Sequence, residues 1–253
     1  MGGTTGIGFS AARAFIAHGA AVVIVGRDPD SCTKAGEALG DNCIAIAADA
    51  QHPETAVRAI DTCINSFGGF DGLYHVAGGS GRRFGDGPLH TITLEGWNKT
   101  LEWNLTSLML SNQAAVRSFL ERKQKGSILN LSSVLGYSPA PKYFTTHAYA
   151  AAKAGILGFS KAIAAAYAPQ GIRVNVLAPA VVETPMAQRA LNDESITTYL
   201  KTKQPLDGGR AGQPQDLDGL AVYFMSEQSV YTTGQVIGVD GGWDISEGQF
   251  PQS

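Results

Sequence analysis

The chain has 253 residues, of which 44% are hydrophobic and 16% are charged, and its net charge is −3 at pH 7. This composition excludes a disordered chain, and the lack of a basic stripe argues against a nucleic-acid partner. The three cysteines are widely spaced, without a disulfide framework or metal-site spacing, and the sequence contains no run of about 18 apolar residues. We expect no secretory leader. We therefore expect a cytoplasmic protein that binds no metal, nucleic acid or membrane.

Short β-branched segments alternate with amphipathic or alanine-rich segments along nearly the whole chain. Strands are predicted at residues 21–25, 43–47, 72–76, 127–131, 173–177 and 235–239. Helices are predicted at residues 8–18, 31–39, 53–67, 94–123, 149–167 and 214–226. Because each strand is mostly apolar on both faces, the pattern predicts an α/β fold: a Rossmann-type, doubly wound parallel sheet in a single domain over residues 1–253.

Two regions depart from this alternation. Residues 178–213 form a long connection, which predicts a functional lid, although two short surface helices without a role would also fit. At the other end, no strand precedes the glycines that open the chain. A doubly wound sheet has a central strand there, so we expect the first strand to be missing and the natural start to lie upstream of Met1.

The opening glycines form a pattern typical of phosphate binding. Gly2, Gly6 and Gly8 give G-x-x-x-G-x-G directly before a predicted helix. Glycines allow a pyrophosphate to approach bare backbone, and a helix N-terminus offers free N–H groups. Taken alone, the pattern also fits a purely structural turn.

The residues after the next strand bear on the choice of cofactor. Asp28 lies twenty residues beyond Gly8, where a carboxylate can bind a ribose 2′-hydroxyl. Gly26 and Arg27 precede it, and a glycine followed by a guanidinium suits a 2′-phosphate. We therefore favour NADP(H) over NAD(H), with Arg27 as a solvated surface charge as the alternative.

A second constellation suits proton transfer. Tyr149 and Lys153 are four residues apart on a predicted helix and share one face. A nearby ammonium favours the phenolate and would lower the pKa of the tyrosine toward the working range. Ser133 follows an apolar strand, so its hydroxyl is expected at the ligand edge of the sheet.

With these motifs the chain resembles the short-chain dehydrogenase/reductase family, in the single-domain branch that includes 3-oxoacyl-carrier-protein reductases and related carbonyl reductases. The resemblance covers nearly the whole chain and departs from the family pattern in four places: Met1 replaces the Thr that leads the glycine motif, His75 and Val76 replace the two Asn of N-N-A-G, and Ala180 replaces a Gly. The substitutions at residues 75 and 76 put the hydrogen bonds that brace this strand in question.

The resemblance also implies the site residues and their roles. Tyr149 is the general acid or base, Ser133 positions the substrate oxygen, Lys153 binds the nicotinamide ribose, and Asn104 holds a water that connects Lys153 to solvent. The implied cofactor residues, together with Arg27, are Gly2, Thr4, Thr5, Gly6, Ile7, Gly8, Asp49, Ala77, Gly78, Lys153, Pro179, Val182 and Thr184.

These assignments predict an NAD(P)(H)-dependent oxidoreductase that interconverts a carbonyl and a secondary alcohol by hydride transfer. The family resemblance implies a homotetramer or homodimer formed through the helices at 94–123 and 149–167. Alternatives are an epimerase or dehydratase, for which no substrate domain is present, a cofactor-binding sensor, and a catalytically impaired or N-terminally truncated protein of the same fold.

The substrate is not identified by the sequence. Three segments, residues 79–88, 135–147 and 185–212, are expected to line its pocket. The first contains Arg82 and Arg83, which would suit an anionic or phosphorylated substrate but would equally fit two solvated charges on a loop.

Overall fold

The computed structural model describes residues 1–248, in which six parallel strands alternate with helices. The strands are β1 (Val22–Gly26), β2 (Cys43–Ala47), β3 (Gly72–His75), β4 (Gly126–Leu131), β5 (Ile172–Pro179) and β6 (Val236–Val239). The α-helices are α1 (Gly6–Ala17), α2 (Pro29–Leu39), α3 (Pro53–Phe67), α4 (Leu94–Leu101), α5 (Ser107–Glu121), α6 (His147–Tyr167), α7 (Gln188–Leu191), α8 (Glu194–Lys203) and α9 (Asp218–Met225).

Helices cover both faces of the sheet. The strands pair in parallel in the orders β1-β2 and β3-β4-β5-β6. Successive residues of a strand point to opposite faces, so Ile128 of β4 packs with Ile60 and Phe119 on one side, while Leu129 packs with Phe224 on the other. The predicted doubly wound α/β fold is confirmed.

The backbone of residues 1–3 lies between β1 and β3 and connects the two groups of strands. Gly2 N donates a hydrogen bond to Val25 O at 2.8 Å, and Val76 N donates one to Met1 O at 2.9 Å. Among residues 1–248 no strand precedes α1. These contacts place the glycine loop at the carboxyl ends of β1 and β3.

The predicted helix at 94–123 is wrong in its middle, because α4 and α5 are separated by a π-helical turn over Glu102–Thr106. The amide of Asn104 lies in this turn and donates to Thr100 O at 2.8 Å. A π-turn of this kind inserts an extra residue into the helix and often marks a functional position. It turns Asn104 inward, where no part of its side chain reaches solvent.

Residues 178–213 are packed rather than loosely attached. The helix α8 buries Ile196, Tyr199 and Leu200 against Trp243 from the closing segment of the chain. An aspartate, Asp193, caps α8 by accepting hydrogen bonds from the backbone of its first turn. Along residues 1–248, no helix is long and apolar enough to cross a bilayer.

Candidate active site

A crevice of about 940 Å³ runs along the carboxyl ends of the strands, where ligands bind in doubly wound sheets. Its walls contain every predicted site residue except Gly8 and Asn104, which lie directly behind the lining. The lining members of the predicted set are Gly2, Thr4, Thr5, Gly6, Ile7, Arg27, Asp49, Ala77, Gly78, Ser133, Tyr149, Lys153, Pro179, Val182 and Thr184.

The glycine loop is shaped by backbone contacts that only glycine permits. Gly2 has a φ of 78°, and a Cβ on Gly8 would lie 2.0 Å from Gly2 O. Within the described residues no side chain caps the first turn of α1, so its N–H groups and positive dipole end remain available to an anion. The glycine loop and the N-terminus of α1 together have the geometry of a phosphate-binding site.

The end of the crevice beside β1 and β2 is lined by Arg27, Asp28 and Asp49. Asp28 accepts hydrogen bonds from the backbone and hydroxyl of Ser31, at 2.8 and 2.5 Å, which lower the pKa of its carboxyl group and engage one of its oxygens in capping α2. Asp49 accepts hydrogen bonds from Gln51 N and Nε2 at 3.0 and 3.1 Å. The exposed Arg27 guanidinium lies over the Trp103 ring, 5.4 Å from its centre.

Ser133, Tyr149 and Lys153 meet in the middle of the crevice. Lys153 Nζ lies 5.4 Å from the centre of the Tyr149 ring and donates a hydrogen bond to Leu131 O at 3.0 Å. Ser133 lines the same part of the crevice, and its hydroxyl accepts a hydrogen bond from Leu135 N at 3.2 Å. The strand β4 supplies Leu131 and leads directly to Ser133, while α6 presents the other two side chains one turn apart.

Burial dominates the ionisation of this cluster. Loss of solvent raises the pKa of Tyr149 to about 12, and the hydrogen bond from Ser133 only partly offsets that rise. The same loss of solvent lowers the pKa of Lys153 from 10.5 to about 8. The expected lowering of the tyrosine pKa by the ammonium is therefore wrong for this structure, in which the phenol is protonated at neutral pH.

One of the replaced positions, His75, ties β3 to a neighbouring helix. His75 stands where the resemblance expects Asn, and its Nδ1 and the Ser111 hydroxyl are 2.6 Å apart, so β3 is tied to α5. Burial lowers the pKa of His75 well below its usual value, which keeps the ring neutral and able to accept as well as donate. The strand bracing questioned from the sequence is thus supplied by a histidine.

Asn104 holds the loop that follows β3. Its Nδ2 donates to Gly79 O at 2.8 Å, and its Oδ1 accepts from Gly79 N at 3.2 Å. A Cβ on Gly78 would lie 2.6 Å from Asn104 Oδ1 and 3.7 Å from Lys153 Nζ, so the three residues meet at one point. Glycine at residue 78 is what allows the amide and the lysine to approach each other.

Sequence reasoning missed Asp86, which is buried and positions the helix that carries Tyr149. Its Oδ1 accepts from Ala148 N at 3.0 Å, and its Oδ2 accepts from Tyr149 N at 3.1 Å. The residue before α6, Thr146, makes no side-chain cap, so a carboxylate from 60 residues upstream performs that role. No local sequence signal identifies a cap that comes from so far away.

Further lining residues come from the π-turn, from the three variable segments and from the closing segment. Trp103 and the buried Trp243 both line the crevice, and Trp243 Nε1 donates to Ser138 O at 3.0 Å. The further lining side chains from these segments are Arg82, Arg83, Leu135, Phe144, Met186 and Arg189. All three segments therefore contribute to the crevice, as expected.

The shape and chemistry of the crevice fit a dinucleotide. One end combines bare glycine backbone with an uncapped helix N-terminus, which suits a pyrophosphate, and the middle holds Lys153 beside Tyr149. Fold and site together define the class of protein: an α/β protein with a dinucleotide-type crevice that ends at a Ser-Tyr-Lys cluster.

Comparisons with known proteins agree with this class. A family model described as enoyl-(acyl carrier protein) reductase matches residues 2–244. The chain is 32% identical to the 3-oxoacyl-[acyl-carrier-protein] reductase FabG of Vibrio cholerae, over 95% of this chain and 94% of that protein. It is 33% identical to 3beta-hydroxysteroid dehydrogenase 1 of Eggerthella lenta, over 99% of this chain and 95% of that protein.

A solved structure of a short-chain type dehydrogenase/reductase from Mycobacterium ulcerans has a TM-score of 0.89 and 27% identity, and the match covers 98% of this chain and 89% of that one. The protein belongs to the short-chain dehydrogenase/reductase family of oxidoreductases, as the sequence motifs indicate. Members of this family use NAD(P)(H) and act on small molecules.

Proposed function

We propose that this protein is an NAD(P)(H)-dependent oxidoreductase that interconverts a carbonyl and a secondary alcohol. The observation that carries the proposal is the placement of Ser133, Tyr149 and Lys153 together in a crevice that also contains the glycine loop. A bound nicotinamide cofactor supplies the hydride in reduction and accepts it in oxidation.

The chain's own residues handle the proton. In reduction, the Tyr149 phenol donates its proton to the carbonyl oxygen as that oxygen becomes an alcohol, and its raised pKa keeps it protonated beforehand. The Ser133 hydroxyl donates a hydrogen bond to the same oxygen and fixes its position. In oxidation the direction reverses, and the phenolate accepts the alcohol proton.

Lys153 and Asn104 support this transfer. With its pKa lowered to about 8, Lys153 can lose and regain a proton near neutral pH, and we assign it the ribose hydroxyls and the resupply of the Tyr149 proton. Asn104 holds the Gly79 backbone beside Lys153. The water that would connect Lys153 to solvent stays a prediction.

We propose that NADP(H) is preferred over NAD(H). Arg27 is exposed at the ribose end of the crevice, and the Asp28 carboxylate, which would favour an unphosphorylated ribose, is partly engaged by Ser31. Dissociation constants for NADPH and NADH, measured side by side, test this preference. Equal constants would contradict it.

We also propose assembly as a homodimer or homotetramer through the helices at 94–123 and 149–167. Large apolar side chains are exposed on the first of these segments, at Trp97 and Leu120. Light scattering should give a mass two or four times that of the chain, and a monomer at all concentrations would contradict this assembly.

Turnover is the direct test of the proposed function. The protein with NADPH is mixed with a panel of ketones and oxo acids, and the loss of reduced nicotinamide is followed by absorbance. The proposal predicts reduction of at least one carbonyl compound and formation of the matching alcohol. Tight cofactor binding without turnover of any member would instead favour a cofactor-binding protein without this activity.

A further inference from the structure

Charged side chains are divided unequally along the crevice. The acidic side chains that line it, Asp28 and Asp49, both follow β1 or β2 at the proposed adenosine end. The loop after β3 and the segment after β5 also line the crevice, and within the described residues they contribute no carboxylate to its lining. Instead they contribute three arginines: Arg82, Arg83 and Arg189.

Arg82 is presented by a rigid turn rather than by a loose loop. Phe84 N and Asp86 N both donate to Gly81 O, at 2.8 and 3.1 Å. A Cβ on Gly81 would lie 1.8 Å from Thr100 Oγ1, so the turn packs directly against α4. The Arg82 side chain is half-buried, and its backbone position is fixed before any ligand arrives.

Arg82 and Arg189 both line the crevice, and the positive charge of Arg189 acts on the Arg82 guanidinium. Burial and then the Arg189 charge lower the pKa of the Arg82 guanidinium, while Asp86 acts in the opposite direction. Both Asp86 oxygens, however, accept hydrogen bonds from the backbone at the start of α6. Among residues 1–248, neither Arg82 nor Arg189 forms an ion pair with a carboxylate.

Two cationic side chains that line one crevice, one of them half-buried and neither paired with a carboxylate among residues 1–248, are stabilised by a bound anion. Guanidinium groups bind carboxylate and phosphate oxygens through paired N–H donors. The walls nearby are apolar, formed by Leu135, Phe144 and Met186. A ligand that fits this half therefore has an apolar body and an anionic end.

We propose that Arg82 and Arg189 form an anion subsite, and that the substrate is a carbonyl compound or alcohol with a carboxylate or phosphate group bound there. This inference rests on the proposed function for the position of the reacting oxygen at Ser133 and Tyr149. The charged group then sets the distance and direction of that oxygen relative to the phenol.

Cofactor phosphates are the competing ligands for these arginines. They are expected at the glycine loop and at Arg27, which lies over the Trp103 ring. If Arg82 and Arg189 bound the cofactor, their removal would weaken NADPH binding. If they bind substrate, their removal leaves NADPH binding unchanged and weakens only the binding of anionic compounds.

The experiment compares acids with their uncharged counterparts. The wild-type protein, Arg82→Met, Arg189→Met and the double variant are each loaded with NADP⁺ or NADPH. Binding is measured by calorimetry and turnover by absorbance, with 2-, 3-, 4- and 5-oxo acids, their methyl esters, and dihydroxyacetone with and without its phosphate. Arg83→Met is the matched control, because it removes a charge from the same turn while leaving the Arg82–Arg189 pair intact.

The wild-type protein should bind at least one acid or phosphate ester about 10- to 100-fold more tightly than its uncharged counterpart. Each single variant should lose most of that preference, and the double variant all of it, with the dissociation constant for NADPH unchanged. Arg83→Met should keep the preference within about twofold, since surface charges act weakly over distance. Comparison of the oxo acids with the phosphate ester shows whether the subsite prefers a carboxylate or a phosphate group.

Three results would overturn the subsite. The wild-type protein could bind charged and uncharged members equally, or the preference could persist in the double variant. The third result is that no anionic member binds at millimolar concentration. Loss of NADPH affinity in Arg82→Met would show that Arg82 contacts the cofactor, and it would overturn the proposed anion subsite as well. Selective anion binding without turnover of any compound would refute the proposed function alone, because the binding measurement does not depend on hydride transfer.

Discussion

The two halves of the crevice are built in different ways. The half at the glycine loop is shaped by backbone, because a Cβ added to Gly8 would lie 2.0 Å from Gly2 O. The half at Tyr149 consists of side chains from separate loops, held in place by long-range contacts such as those of Asp86. The first half specifies a cofactor through local sequence, whereas the second can vary its loops to suit a substrate.

The largest effect is expected from breaking the backbone half. In Gly8→Ala the new methyl group would collide with the Gly2 carbonyl, so the loop must move and the affinity for NADPH should fall by at least about a hundredfold. Calorimetric titration with NADPH measures this. Gly219→Ala is the control, because a Cβ there meets nothing within 4 Å; its affinity for NADPH should not change.

On the substrate side, Asp86→Ala should lower kcat about tenfold while leaving NADPH affinity unchanged. It removes both acceptors at the start of α6 and lets Tyr149 shift relative to the substrate. Asp86→Asn keeps one acceptor oxygen and should lose less activity. Equal losses in both variants, or a parallel loss of cofactor affinity, would point to general destabilisation instead of positioning.

The charge at the ribose end should discriminate between cofactors. Arg27→Ala is expected to raise the dissociation constant for NADPH about tenfold and that for NADH by little, because only NADPH has a 2′-phosphate to pair with the guanidinium. Kinetic and binding constants for both cofactors test this. Similar changes in the dissociation constants for NADPH and NADH would mean that Arg27 contacts Trp103 but does not pair with the 2′-phosphate.

The last prediction concerns stability, and the expected effect is a gain. Lys153 is buried with its pKa lowered to about 8, so Lys153→Met should raise the free energy of unfolding at pH 7 by about 1–3 kcal/mol in the cofactor-free protein while abolishing activity. Between about pH 8 and 10.5 the unfolded chain holds this proton more tightly than the folded one, so wild-type stability rises with pH. The gap between variant and wild type should therefore shrink from pH 7 to pH 10, as thermal unfolding would show.

The parts that were predictable from sequence are those set by short-range patterns. Apolar β-branched segments predict the buried parallel strands, and glycine spacing predicts the loop, because both depend on residues within one or two turns. The Tyr149–Lys153 spacing placed both side chains on one helix face. These local rules account for the sheet and for the cofactor half of the crevice.

What sequence reasoning could not supply depends on distant contacts. The π-turn at Asn104 arises where the helix packs against the Gly79 loop, and the cap on α6 comes from Asp86. The direction of the Tyr149 pKa shift depended on how deeply α6 is buried, which spacing alone does not reveal. The approach of Arg82 to Arg189 joins two loops about 100 residues apart and likewise has no local signal.

The most direct test of the central claim is the Tyr149→Phe variant, measured for NADPH binding and for carbonyl reduction on the same preparation. The account predicts that the dissociation constant for NADPH stays within a few-fold of wild type while turnover falls by at least about a hundredfold. The substitution removes the hydroxyl that donates the proton but leaves the shape of the crevice unchanged. Turnover that survives in Tyr149→Phe would contradict the assignment of Tyr149 as the proton donor and acceptor.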